Sequence, residues 1–191
     1  MVNNRLKTLN TINKDFYTTV DLKKIFQLPD KSLLVTLSRM QKRGDLARIA
    51  KGYYQSADKS IDIEKIATQI YQPCYISFES VLSRYGAISQ VPYCLMLATT
   101  NKPKKIVLGW EIVEYRKIKQ DLLFGFELID GVYIASAEKA LLDTLYMLSK
   151  GRLQIDLAVL DKKIFDKKKL FFWAKKYPAA VFTLVQSMYV K

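Results

Sequence analysis

Two different spacings of apolar residues divide this sequence into helical and strand-forming parts. In the N-terminal part the apolar positions recur every three or four residues, which is the period of an amphipathic helix. This period predicts helices over residues 3–13, 20–26 and 31–43. Residues 46–49 and 53–55 are then predicted to form a small hairpin around Lys51-Gly52.

The signals between these elements are typical of a winged helix-turn-helix. Thr18 or Thr19 is predicted to cap the short helix, since a threonine hydroxyl accepts an amide proton at a helix start. Residues 27–29, which end in a proline, form the turn. Asp30 is predicted to cap the longer helix, and Gly44 to end it. A helix, a tight turn, a longer helix and a hairpin, in this order, place the longer helix in a DNA major groove with a wing beside it.

The longer helix has two distinct faces. Leu33, Leu37 and Met40 form a narrow apolar stripe that is expected to face the core. The opposite face has no acidic residue, and its side chains are those of Lys31, Ser32, Val35, Ser38, Arg39 and Lys42. These side chains, with Arg43 at the helix end, are the predicted contacts to bases and phosphates, and Val35 suits a thymine methyl. Arg48 and Lys51 would reach the backbone or minor groove from the hairpin. The alternative is a solvated, lysine-rich helix face.

In the rest of the chain the apolar pattern is helical up to Gly86, typical of strands from residue 93 to residue 136, and helical again after that. Helices are predicted from Ile61 to before Pro73 and after Ile76, the second ending at Gly86. Strands are predicted over 93–100, 104–110, 111–119, 122–129 and 132–136, with a hairpin turn at Asp130-Gly131. Ser136 is predicted to cap a helix over 137–149, whose buried stripe is Leu141, Leu142, Leu145 and Leu148. Residues 153–191 are predicted to be helical, with a new start near Asp166 and a break at Tyr177-Pro178.

The predicted fold is therefore of the α/β (α+β) class. A winged helix-turn-helix over residues 1–58 precedes a mixed antiparallel sheet domain flanked by helices over residues 59–191.

Charge favours a polyanionic partner. The chain has 31 Lys and Arg against 18 Asp and Glu, a net charge of +13 in 191 residues. Nucleic acid is the first expectation for such a charge, and an anionic membrane surface the second. Only eleven basic and five acidic residues lie in residues 1–58, so the second domain is basic as well.

The residues needed for most catalytic and metal chemistry are missing. The sequence has no histidine, no glycine-rich phosphate loop, and two cysteines without zinc-site spacing. Cys74 and Cys94 are expected to be buried free thiols. Glu138 and Asp143 lie five residues apart on one helix, so they do not face the same way. We therefore expect no enzyme activity, no cofactor and no metal.

No targeting segment is expected either. The N-terminus lacks an apolar signal region, and no apolar run reaches the ~20 residues of a membrane helix. The sequence predicts a cytoplasmic protein without a membrane partner.

A second basic surface is predicted in the C-terminal segment. Its lysines are interleaved with aromatic residues, and they are Lys162, Lys163, Lys168, Lys169, Lys175 and Lys176. The surface would bind phosphates, RNA or an acidic protein; the alternative is again a solvated lysine face.

Three stretches resemble the AbiEi family, the antitoxin half of abortive-infection toxin–antitoxin pairs. They are GDLARIAKGYY at 44–54, ISFESVLSRYGAISQVP at 76–92 and GVYIASAEKALLDTLY at 131–146. The match lies in their order and spacing, and it extends from about residue 5 to residue 150.

The resemblance implies a specific biology. It implies an N-terminal winged domain that binds inverted operator repeats in double-stranded DNA and represses its own operon, often with two copies bound cooperatively. It also implies a C-terminal domain that counteracts a nucleotidyltransferase-type toxin, by direct contact or otherwise. Two other functions stay open: a winged module that binds the toxin without binding DNA specifically, and a ligand-sensing repressor.

Overall fold

The computed structural model describes residues 2–153 and 155–189, and the chain divides between two structural units. The first unit comprises residues 1–66 and 106–111, and the second comprises residues 67–105 and 112–191. The first unit thus extends past residue 58, where the sequence suggests the boundary, and includes a segment from much later in the chain.

The first unit has the strand and helix order of a winged helix. It contains α1 (Val2–Ile12), β1 (Tyr17–Thr18), α2 (Thr19–Phe26), α3 (Asp30–Lys42), β2 (Leu46–Ala50) and β3 (Tyr53–Ser56). The three strands form an antiparallel sheet in the order β1-β3-β2. One apolar cluster joins the helices to this sheet, and its members are Leu9, Tyr17, Leu22, Leu33, Leu37, Met40, Leu46 and Tyr54. The predicted winged helix-turn-helix is confirmed as a fold.

One local prediction in this unit is wrong. Asp30 is the first residue of α3, and Pro29 occupies the cap position with no side-chain cap hydrogen bond. The fixed φ of proline suits the extended conformation there, and the Asp30 carboxylate pairs with Lys23 instead. Ile12, the last residue of α1, is exposed, and Asn13 then turns the chain with a positive φ.

The second unit contains helices and most of a six-stranded mixed sheet; residues 106–108 and 111 of that sheet are counted with the first unit. A helix, α4 (Ile63–Ile70), spans the boundary between the units. The remaining elements are β4 (Cys74–Ile76), α5 (Phe78–Arg84), β5 (Leu95–Thr99), β6 (Lys104–Leu108), β7 (Glu111–Lys117), β8 (Phe126–Ile129), β9 (Val132–Ala135), α6 (Ala137–Ser149), α7 (Lys167–Ala174) and α8 (Ala179–Tyr189). The strand order is β6-β7-β5-β4-β9-β8. β4 is antiparallel to β5 and parallel to β9, and β5 is parallel to β7, so the sheet is mixed, as predicted.

α6 is the central helix of the second unit. Ser136 caps it as predicted, and every residue from Ala137 to Met147 is buried. The helix is therefore buried all round rather than along the single stripe that the leucines suggest, and Leu148 is only half-buried. Asp130-Gly131 makes the predicted hairpin, with Ile129 paired to Val132.

Two predicted elements are shorter than the apolar pattern suggests. The strand predicted over 122–129 begins only at Phe126, because Gly125 has a φ of +72° and residues 120–122 form a 3-10 turn. Residues 157–159 and 162–164 form 3-10 turns before α7, which starts after Asp166 as predicted. Residues 154, 190 and 191 of the predicted helical tail lie outside the described residues. Cys74 and Cys94 are buried free thiols, as predicted.

Candidate nucleic-acid interface

The outer face of α3 is an exposed surface of basic, hydroxyl and apolar side chains. Leu33, Leu37 and Met40 are buried on the inner side, as predicted. The exposed residues are Lys31, Ser32, Leu34, Val35, Ser38, Arg39, Lys42 and Arg43. The structure therefore brings the predicted helix contacts together on one face, which we call the α3 face.

Among the described residues, no carboxylate pairs with a side chain at the centre of the α3 face. Asp30 lies at the start of the helix, where its Oδ1 is 2.6 Å from Lys23 Nζ. Arg43 is paired with Asp45 through Nε and Nη2, at 2.9 and 2.8 Å. The side chains of Lys31, Arg39 and Lys42 form no ion pair in the described part of the chain, so their donors remain available to a ligand.

A reciprocal capping bond positions α2, which packs against α3. The backbone amide of Asp21 donates to Thr18 Oγ1 at 3.0 Å, and the amide of Thr18 donates to Asp21 Oδ2 at 2.9 Å. Burial alone would raise the pKa of Asp21, but the bonds from Thr18 and the charge of Lys14 outweigh it and lower the pKa. Gln27 ends the helix in a left-handed conformation, with a φ of 51°, which lets the chain turn into α3. Of the two threonines that the sequence offered as a cap, the structure selects Thr18.

The hairpin of β2 and β3 is fastened to the start of α2. The backbone amide of Thr19 donates to Gly52 O at 2.9 Å. Lys51 is exposed beside this bond, and Gly52 has a φ of +83°, so glycine suits the turn. Arg48 is exposed, and its Nε donates to Ala50 O at 3.4 Å. Both predicted wing residues thus carry their charge into solvent next to the helix-turn-helix.

The sequence reasoning missed Leu34. Leu34 is 59% exposed on the flank of the α3 face, and Val35, which follows it in the chain, is 49% exposed. Leu33, Leu37 and Met40 already account for the buried stripe of α3, and a further leucine is normally assigned to the core. The sequence pattern therefore did not single out Leu34 as a surface residue. The signal was available, because Leu34 lies roughly 90° around the helix from the centre of the stripe formed by Leu33, Leu37 and Met40.

The second basic surface is only partly free. Lys162 donates to the carbonyl of Met188, Lys169 pairs with Glu138 at 2.9 Å, and Lys176 lies 4.4 Å from the centre of the Phe124 ring. The side chains of Lys163, Lys168 and Lys175 are exposed and make no such contact within the described residues. Half of the six predicted lysines therefore stabilise the second unit itself.

One of these contacts anchors α7 to the start of α6. Glu138 accepts hydrogen bonds from Lys169, from the Asp166 amide and from Ser136. Burial would raise the pKa of Glu138, but these bonds lower it. The contacts of Glu138 are thus those of a structural residue.

A charged network is enclosed in the second unit. Asp143 and Lys139 are both fully buried and form an ion pair one helical turn apart. Asp143 also accepts from Tyr75, Ser77 and Tyr177, each at 2.8 Å, and Lys139 donates to Tyr177. Burial lowers the pKa of Lys139, and the charge of Asp143 opposes this shift. The network joins α6 to β4 and to the turn after α7, with every partner satisfied.

Beyond these surfaces, the described residues offer few features of a ligand site. They contain no group of three or more His, Cys, Asp or Glu side chains that would hold a metal ion. The second unit has a surface depression of about 560 Å³, whose lining includes Lys104, Lys117 and Arg152. No helix in the described part of the chain is long and apolar enough to cross a membrane.

Comparisons with known proteins identify a fold. No family model matches the chain, and no curated protein matches it significantly. A solved structure with a similar fold is that of the Rv2827c protein from Mycobacterium tuberculosis, with a TM-score of 0.64 and 11% sequence identity. The similarity covers 98% of this chain and 75% of the other. At this identity the likeness establishes a shared fold alone.

Proposed function

We propose that the protein is a cytoplasmic, DNA-binding autorepressor that also acts as an antitoxin. The observation that carries the DNA-binding part is the α3 face, an exposed helix surface without carboxylates in a winged helix-turn-helix. Lys31, Arg39 and Lys42 supply free donors there. A helix in the major groove needs such donors for guanine edges and phosphate oxygens.

The hairpin supports the same proposal. Arg48 and Lys51 project from a turn that is bonded to the start of α2. Charges fixed beside a recognition helix would bind the phosphates that flank the groove, and the release of counterions would make this binding strongly salt-dependent.

The antitoxin part rests on the resemblance to the AbiEi family. The first similar stretch forms the β2–β3 hairpin, the second forms the end of β4 with α5, and the third forms β9 with most of α6. Ser77 of the second stretch and Lys139 and Asp143 of the third are partners in the buried network. The second and third stretches therefore encode the core of the second unit, which we propose counteracts a nucleotidyltransferase-type toxin.

Binding to the DNA upstream of its own gene tests the autorepressor. The full-length protein would be titrated against that duplex and a scrambled duplex over a range of salt concentrations. We expect a preference of about 10³ or more for the upstream duplex. We expect Arg39→Ala with Lys42→Ala to reduce this affinity at least about tenfold, because each base or phosphate bond that is removed contributes about 1–3 kcal/mol.

Lys102→Ala with Lys119→Ala is the matched control, since both lysines are exposed in the second unit. Thermal unfolding of both double variants should equal that of the wild type, because all four side chains are on the surface. Equal binding to both duplexes, or unchanged affinity in the folded Arg39/Lys42 variant, would contradict the assignment. Binding of the toxin without any duplex binding would instead favour the protein-interaction function.

A further inference from the structure

The α3 face contains an apolar centre that no described residue covers. Val35 is 49% exposed and Leu34 is 59% exposed. A half-exposed valine gains only part of the stabilisation of a buried one and forms a helix less readily than alanine does. The stability of α3 alone therefore does not favour a valine at position 35.

Polar donors surround this apolar centre. The residues three and four positions away from Val35 along the helix are its surface neighbours. They are Lys31, Ser32, Ser38 and Arg39, and all four are exposed. Leu34, which is 59% exposed, lies about 100° from Val35 around the helix, on the flank of this face. The α3 face is thus an apolar spot framed by hydrogen-bond donors.

Only one base pair matches such a spot in the major groove. Thymine presents its 5-methyl group there, whereas guanine, cytosine and adenine have no methyl group and are distinguished by their donors and acceptors. An aliphatic side chain against those polar edges would remove their water and supply no partner, which is unfavourable. The apolar centre therefore selects for a methyl group.

We propose that Val35 contacts the 5-methyl group of a thymine in the operator. Ser38 and Arg39 bind the neighbouring bases or phosphates in the same groove. This contact rests on the proposed DNA-binding function and adds a sequence preference to it: a T·A pair at a fixed position in each half-site.

Deoxyuridine tests the contact directly, since it differs from thymidine only by the missing methyl group. A duplex would first be selected with the full-length protein from a pool with a randomised central segment. Each thymine of the selected duplex would then be replaced singly by deoxyuridine. At the contacted position we expect about a fourfold loss of affinity, which corresponds to the transfer of one methyl-sized group out of water.

The Val35→Ala variant completes the cycle. It should bind the thymine duplex about fourfold more weakly than the wild type does, and it should no longer distinguish thymine from uracil at that position. The variant is expected to fold, because Val35 is exposed and alanine favours a helix. Val159→Ala removes a similarly exposed valine in the second unit and should keep the full discrimination.

The outcomes separate the two proposals. A pool that yields no preferred sequence would overturn the DNA-binding function and the methyl contact together. A preferred sequence in which every uracil is tolerated, or a Val35→Ala protein that still discriminates, would overturn the methyl contact alone.

Discussion

Lys139 has a charge that makes no contact with water. Its side chain is fully buried between Asp143 and Tyr177, and rings of Tyr75 and Phe124 lie within 5.4 and 4.8 Å of Nζ. Removal of one partner of a buried ion pair leaves the other charge uncompensated, which costs far more than the loss of a surface pair.

The Lys139→Met variant would measure this cost. The substitution keeps most of the volume and leaves the Asp143 carboxylate with its three hydroxyl donors but no cation. We expect the free energy of unfolding to fall by about 3–5 kcal/mol in urea titrations followed by circular dichroism.

Lys169→Met is the matched control for this variant. Lys169 also pairs with a carboxylate of α6, but its side chain is 37% exposed. Its loss should cost less than about 1 kcal/mol. Equal effects of the two substitutions would show that the buried pair has no special role.

The sequence indicates the ion pair between Lys139 and Asp143, but not its burial or its tyrosine partners. The spacing of Lys139 and Asp143, four positions apart on a predicted helix, favours an ion pair. What the sequence did not reveal is that α6 is buried on all sides, because that depends on elements packed from distant parts of the chain. The same reason hid Tyr75 and Tyr177 as partners, since each lies more than thirty residues from Asp143.

At the level of elements, the position of α3 depends on α2. The capping bonds between Thr18 and Asp21 fix where α2 begins, and Leu22 then packs in the same cluster as Leu33 and Leu37. A cap is therefore expected to stabilise the helix that supports the candidate interface.

Thr18→Ala would remove the side-chain half of this cap. We expect a loss of about 1 kcal/mol in the free energy of unfolding, together with faster hydrogen exchange at the amide of Asp21. Thr8→Ala is the control, because Thr8 is exposed on α1 and bonds only to the carbonyl of Asn4. That substitution should be neutral or slightly stabilising; a Thr18→Ala protein with wild-type exchange at Asp21 would contradict the role of the cap.

Element boundaries were predictable where one residue type decides them. Gly44, Ser136 and Asp166 mark their helix ends as the sequence suggested. The prediction that Asp30 caps α3 was wrong because two adjacent residues, Pro29 and Asp30, both suit the cap position, and Pro29 occupies it. Gly125 was overlooked as a break because the residues on both sides of it are apolar.

At the scale of the whole molecule, the net charge of +13 exceeds what the α3 face and the hairpin contain. Lys168 and Lys175 of the second basic surface form no ion pair within the described residues, and Phe172, which lies between them on the same side of α7, is 65% exposed. A second set of phosphate contacts would add affinity and salt dependence without sequence preference.

We expect the double variant Lys168→Gln/Lys175→Gln to bind operator DNA with a smaller salt dependence. The slope of log affinity against log salt should decrease by about 0.9 for each phosphate that the variant no longer neutralises, while the preference over scrambled DNA stays the same. Lys102→Gln with Lys119→Gln removes the same charge elsewhere in the second unit. A slope that is unchanged, or equally changed in both double variants, would rule out a specific contact by this surface.

The sequence predicted the fold class of the molecule but not the order of the strands in its sheet. Helical and strand-like spacings of apolar residues together indicated helices with a mixed sheet, and strands adjacent in sequence, such as β8 and β9, were joined by a recognisable turn. The parallel pairings of β4 with β9 and of β5 with β7 connect segments far apart in sequence. Local patterns contain no information on such partners, because the choice is made by the packing of the whole unit.

The first unit is assembled from two separate pieces of sequence. Residues 106–111 belong to it, and the Gly109 amide donates to the carbonyl of Ile49 at 2.8 Å, at the bulge of β2. A chain that ends after residue 58 would lack Gly109, and the carbonyl of Ile49 would lose this hydrogen bond. A gene fusion that carries only residues 1–58 to another regulator would therefore transfer an incomplete first unit.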